Sequence, residues 1–150
     1  MNTQGPHLAP YKIRQVEWRL GEAAISVLRR QVFIIEQSVP EELEWDGEDE
    51  AALHLLAEDE MGNPIGTARM LTDGHIGRVA VLAPWRGRGV GMALMRQMLE
   101  LAREHGHREV FLDAQIDALA FYRKLGFQTE GEVFMDAGIP HRHMRLTLSA

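Results

Sequence analysis

Between residues 79 and 91 the chain reads Val-Ala-Val-Leu-Ala-Pro-Trp-Arg-Gly-Arg-Gly-Val-Gly. The apolar run has the character of a strand, Pro84 stops it, and Gly87, Gly89 and Gly91 lead into an amphipathic segment. The first turn of a helix leaves backbone N–H groups unpaired and carries partial positive charge. Glycines there remove the side chains that would hold a ligand away from those groups, an arrangement that binds phosphate in unrelated folds. Arg86 and Arg88 oppose the helix dipole by about 0.3–1 kcal/mol each, a cost that an anion such as pyrophosphate in the turn would offset. The spacing is not the dinucleotide G-x-G-x-x-G, and the Gly-Lys-Ser/Thr ending of a nucleotide P-loop is missing. On turn chemistry alone an exposed turn with solvated arginines is the alternative.

Other chemistry is bounded by residue type. The chain has no cysteine, which excludes thiolate nucleophiles, disulfides and thiolate metal sites. Residues 41–50 hold seven acids and no base (Glu41, Glu42, Glu44, Asp46, Glu48, Asp49, Glu50). They read either as a solvated loop or as a collar favouring a cationic ligand. A calcium loop is excluded, because Asp46-Gly47-Glu48-Asp49-Glu50 lacks the ligand spacing and its glycine stands second. His141 and His143 share one face of a strand, but no third ligand is evident, so no metal is expected. A net charge of −6 argues against a nucleic-acid partner.

The elements that must position these groups follow from periodicity. A length of 150 residues with 45% hydrophobic and 25% charged residues fits one globular domain over 1–150. No apolar run is long enough to span a bilayer, and Met1-Asn2-Thr3-Gln4-Gly5-Pro6 lacks the order of a signal peptide, so a cytoplasmic protein without a membrane partner is expected. Alternation predicts strands over residues 11–18, 54–57, 65–71 and 75–82, the last apolar on both faces and therefore central. Helical spacing predicts helices over 22–33, 90–104 and 118–125, with an acidic loop from Pro40 to about Glu50. Short strands at 109–113, 127–134 and 142–148 complete a mixed α/β fold, a mostly antiparallel central sheet flanked by helices.

At Arg86, Gly89 and Gly91 the sequence resembles the GNAT superfamily of acyl-CoA N-acyltransferases, whose pyrophosphate motif is Gln/Arg-x-x-Gly-x-Gly/Ala. A second block, Ala118-Leu-Ala-Phe-Tyr122-Arg-Lys-Leu-Gly126-Phe127, resembles the family's Ala-x-x-x-Tyr-x-x-x-Gly-Phe element. Over nearly the whole chain, Arg30-x-Val-Phe-x-x-Glu36-Gln-x-Val-Pro40, Glu44-x-Asp46, His54 and Gly138-Ile-Pro-His141 resemble the ElaA/YjcF-like branch. The resemblance implies the GNAT fold, with acetyl-CoA as co-substrate beside the strand at 75–82. Its pantetheine amides would pair with backbone groups of Val79 and Val81 across Ala80. A backbone N–H near Val81 would meet the oxyanion, and its phosphates would sit on Arg86, Gly87, Arg88, Gly89, Val90 and Gly91. Gln115 stands where many members carry a cofactor-contacting Asn. Tyr122 would protonate the leaving thiolate.

Only a neutral amine can attack, so a base is also needed. Glu36, Glu44, His54, His141 and His143 are the candidates, with Glu36 and His141 carried as catalytic and Glu36, Glu44, Asp46, His54 and His141 as acceptor-binding. The expected reaction is direct transfer of acetyl to the primary amine of a small, possibly cationic molecule in a ternary complex. A non-catalytic acyl-CoA sensor and a protein-lysine acetyltransferase stay open. An edge strand near the C-terminus suggests a homodimer.

Overall fold

The computed structural model describes residues 10–149. Strand β1 (Tyr11–Val16) leads into helix α1 (Trp18–Arg29), whose winding continues as a π-helical segment, Arg30–Glu36. The helix starts four residues before its predicted position. Its inward stripe is Gly21, Ile25, Leu28 and the charged Arg29, while Leu20 is exposed, so a count of apolar residues misplaces its beginning. A Cβ on Gly21 would lie 2.7 Å from Val16 Cγ2, which fixes how closely α1 lies on the sheet. The acidic stretch is not only loop, since Glu41–Glu44 forms a one-turn helix, α2.

Strands β2 (Leu53–Asp59), β3 (Pro64–Met70) and β4 (Ile76–Val81) join β1 in an antiparallel sheet of order β1-β2-β3-β4. A short 3-10 turn, Ala83–Trp85, precedes helix α3 (Val90–Glu104). Strand β5 (Glu109–Gln115), a 3-10 turn at Ile116–Ala118, helix α4 (Leu119–Arg123) and the hairpin β6 (Gln128–Asp136) and β7 (Ile139–Thr147) follow. These last strands form a second antiparallel sheet of order β5-β7-β6. The two sheets touch where His75 and Phe111 form a parallel bridge and the Phe111 N–H donates to the Gly74 carbonyl at 3.2 Å. The expected sheet is therefore two sheets that part beyond this point.

Side-chain alternation sorts the residues onto two faces. Leu55, Ala57, Met70 and Ile76 of the first sheet and Val110, Leu112, Ala114 and Met144 of the second enclose one core with Leu94, Met95 and Met98 of α3. The opposite face of the first sheet packs Leu56 and Val16 under Ile25 and Leu28 of α1. Among the described residues no helix is long and apolar enough to cross a membrane.

Candidate active site

The parting of the sheets begins with a bulge. Thr67 faces Ala80 and Arg69 faces Gly77, so Arg78 and Val79 together oppose Ala68. Arg78 takes a left-handed backbone, φ 51°, and a bulge of this kind bends its strand and disturbs the ladder. β4 pairs only with β3, and β5 only with β7. The facing edges of β4 and β5 consequently keep backbone donors and acceptors available beside a cleft of about 400 Å³. Tyr122, Gln115, Val79, His75, Asp113 and His141 all line it.

Past the end of β4 the glycine turn has two left-handed positions, Gly87 at φ 75° and Gly89 at φ 86°. A Cβ on either would meet nothing within 4 Å, so glycine is needed there for conformation and the turn is open. Gly91 differs, because a Cβ there would lie 3.4 Å from Phe121 Cζ; its small size serves packing. Gly89 caps α3, whose first turn, beginning at Val90, has no acid and no side-chain cap. Its N–H groups therefore remain available for an anion. Arg88 lies over the Trp85 ring at 5.3 Å. Arg86 donates through Nε to the Val81 carbonyl at 2.8 Å and through Nη2 to Glu36 Oε1 at 2.9 Å.

That pairing places Glu36 against the glycine turn rather than in the cleft. Gln115 reaches across the cleft mouth, its Nε2 donating to Gln37 Oε1 at 2.9 Å. Tyr122 is half-buried, and its hydroxyl has no hydrogen-bond partner among the described residues; desolvation pushes the phenol up to about 12. His141 is largely buried, with Nδ1 2.7 Å from the Ile139 carbonyl. A carbonyl only accepts, so Nδ1 carries the proton and Nε2 keeps its lone pair. Phe134 stacks on His141 and His143, at 5.8 and 4.5 Å.

The acidic stretch is largely neutralised. Glu44 accepts from Arg29 Nε at 2.7 Å and pairs with Arg78 at 3.0 Å. Asp46 is held by Arg69 at 2.8 Å and Arg78 at 3.2 Å, and Asp49 by Arg29 and Arg69. Glu44 and Asp46 do line the cleft, but as members of this network of three arginines and three acids. His54 is fully buried away from the cleft. Its Nε2 is 2.8 Å from the Asp49 carbonyl and its ring lies 5.0 Å from Trp18. Burial lowers the pKa of His54, and its Nδ1 has no hydrogen-bond partner among the described residues.

A splayed sheet, an open glycine turn and a tyrosine in the gap describe an architecture with known relatives. Residues 11–148 match the acetyltransferase (GNAT) domain. The chain belongs to the GNAT acetyltransferase family. The GNAT protein YjcF of Bacillus subtilis, named as an uncharacterized N-acetyltransferase, is 36% identical over 121 residues, covering 78% of this chain and 86% of YjcF. Protein ElaA of Escherichia coli is 36% identical over 129 residues, 79% of this chain and 82% of ElaA. Among solved structures, an acyl-CoA N-acyltransferase from Pseudomonas aeruginosa superposes with a TM-score of 0.81 at 32% identity, covering 91% and 99% of the two chains. This GNAT chain is thus an acyl-CoA-dependent N-acetyltransferase, which moves an acyl group from acyl-CoA to an acceptor.

Sequence reasoning passed over His75, Asp113, Arg69, Arg78 and Asp136, all of which line the cleft. Asp113 left a trace, as an acid ending the apolar run Val110-Phe111-Leu112. Arg69 left another, as a charge inside a strand otherwise fit for burial. Among the described residues, no three histidine or acidic side chains are grouped to hold a metal.

Proposed function

We propose that the protein transfers an acetyl group from acetyl-CoA directly to a primary amine of a small acceptor, in a ternary complex within one domain spanning the chain. The observation that carries this reading is the free edge of β4, which runs from the bulge at Arg78–Val79 to the open turn at Gly87 and Gly89. The phosphates would meet the turn from Arg86 to Gly91, including Gly87, Arg88, Gly89 and Val90. The arm would then lie back along Val81, Ala80 and Val79, with Gln115 at its other side. Phosphates beyond the C-terminal end of β4 leave the reacting end toward the N-terminal half of that strand, close to Tyr122.

Tyr122 acts as the acid. An enclosed phenol held protonated well above neutral pH can hand its proton to a departing thiolate. His141 contributes to the acceptor side through its free Nε2. Glu36 serves the cofactor side by holding Arg86. Glu44, Asp46 and His54 act as framework, since the first two are paired with arginine and the third is enclosed. The exposed β6 edge, where Val133 and Met135 face solvent, is the surface offered to a second copy.

Two measurements test the reading. Acetyl-CoA at about 100 times its Kd should stabilise the fold by about 2.7 kcal/mol, visible as a thermal shift. Thiol release should appear with at least one of 1,3-diaminopropane, tyramine, glycinamide and methoxyamine. Binding without turnover on any amine would mark a sensor, and turnover only with protein lysines would mark a protein acetyltransferase.

A further inference from the structure

The transfer proposed above requires a group that takes the proton from the acceptor ammonium, and the inference drawn here rests on that reading. Two imidazoles line the cleft, His141 and His75. The Nδ1 of His141 faces a backbone carbonyl, and among the described residues no carboxylate is paired with it. His75 has a different setting. It stands just before β4, at the bridge to Phe111 of β5, its ring stacked on Phe111 at 4.8 Å and its Nε2 3.5 Å from Asp113 Oδ2. The other oxygen of Asp113 is bonded by His143 Nδ1, and the register of β5 with β7 sets Asp113 opposite His143.

A carboxylate from β5 is thus held between the imidazole just before β4 and one from β7. The contact with His75 is the largest influence keeping the Asp113 carboxyl below its ordinary value; burial opposes it, and His143 adds to it. Asp113 therefore stays ionised. An ionised carboxylate only accepts, so the His75 tautomer facing it carries hydrogen on Nε2 and keeps its lone pair on Nδ1. A fixed negative charge at that distance also favours the imidazolium that forms when the ring takes a proton. Two residues along the chain from His75, a Cβ on Gly77 would meet nothing within 4 Å, and both residues line the cleft.

We propose that His75 is the general base of the transfer, with Asp113 as the positioning residue that orients it and stabilises its imidazolium, and His143 as the group that fixes Asp113. The acceptor ammonium gives one proton to His75 Nδ1, which passes it to solvent from a ring about one-third exposed. The nitrogen lone pair then forms the bond to the acyl carbon, and the carbon–sulfur bond breaks with its electron pair on sulfur. Sulfur takes the proton of Tyr122, which solvent restores. The nitrogen loses its second proton to water as the amide forms, so one proton is released per turnover.

The test compares amines that differ in whether they need a base. Wild type, His75→Ala and Asp113→Asn are assayed by thiol release with acetyl-CoA. One acceptor is methoxyamine, neutral at pH 7.5. The other is whichever of 1,3-diaminopropane, tyramine and glycinamide the wild type uses fastest. With the alkyl amine, His75→Ala should lower kcat/KM about 100-fold and Asp113→Asn about 10-fold, whereas methoxyamine turnover should change less than about threefold. Acetyl-CoA affinity, read by calorimetry, should stay at the wild-type value in both. Equal losses on both amines, or an unchanged rate with the alkyl amine, overturn the role of His75 and leave the transfer reaction standing. Wild-type protein that binds acetyl-CoA and acetylates none of these amines overturns the transfer reading and the base with it. Should His75→Ala fail to fold, the near-isosteric Asp113→Asn carries the same comparison.

Discussion

Tyr122 packs edge-on between Phe121 and Phe127, at 4.9 and 6.0 Å, which hold the ring while its hydroxyl stays free in the cleft. The surroundings that raise its pKa to about 12 keep it protonated across the working range, the state required of an acid. Tyr122→Phe should lower kcat about 10²–10⁴-fold and leave acetyl-CoA affinity within about twofold. Steady-state kinetics with calorimetry separate the two quantities, and an unchanged kcat would remove the tyrosine from the chemistry. The same scale shows how residue type misleads. His54 and His141 look equivalent in sequence, yet one is enclosed beneath Trp18 and the other lines the cleft. Glu36 has the chemistry of a base, but its carboxylate is given to Arg86.

At the scale of elements, one wall of the cleft depends on how α1, α2 and the bulge of β4 are tied together. Arg29 is fully buried, lies over the Trp45 ring at 5.0 Å, and binds both Glu44 and Asp49. Arg78, on the bulge, donates to the Glu44 carbonyl at 3.1 Å and to Asp46, so the feature that opens the cleft also anchors its wall. Replacing Arg29 with Met takes one of two arginine partners from each of the buried carboxylates Glu44 and Asp49 and should cost about 3 kcal/mol, measurable by urea unfolding. The network also sets an acid limit. Burial by itself would raise the Asp46 carboxyl, but hydrogen bonds from Arg69 and the Glu48 N–H, with the charges of Arg69 and Arg78, bring it from 3.8 down to about 2. Its contribution is present above the unfolded value and lost as pH falls from about 4 through 2. Unfolding free energy measured over that window should drop for wild type and change less for Asp46→Asn; parallel slopes would show that Asp46 is not the titrating group.

For the whole molecule, the decisive property is that the two sheets meet at one bridge and then part. α3 and the shared core hold them together on one face, while the other face is left to α1, the π-helical segment and α2. An acyl-CoA arm lying along β4 would add the hydrogen bonds that no strand supplies there. Amide exchange at Val79 and Val81 should then slow on addition of acetyl-CoA, with little change in β1 and β2. Equal protection throughout both sheets would point to global stabilisation rather than an added strand.

The family, most element types and the glycine turn are legible along the chain, because those rest on local signals: periodicity, proline and glycine placement, and two motifs at family spacing. Helix α3 matches its predicted span because its apolar stripe, Leu94, Met95, Met98, Leu99 and Ala102, is uninterrupted. Which charges are free depends on the packing of distant segments. The seven acids at 41–50 look alike along the chain, but Glu44, Asp46 and Asp49 meet arginines from α1, β3 and β4. Likewise, His75, Asp113 and His143 are 30 or more residues apart in sequence and come together only because β5 bridges to His75, just before β4, on one edge and pairs with β7 on the other. Local patterning dictates what each segment becomes; which side chains share a cleft depends on register and on the place where the two sheets separate.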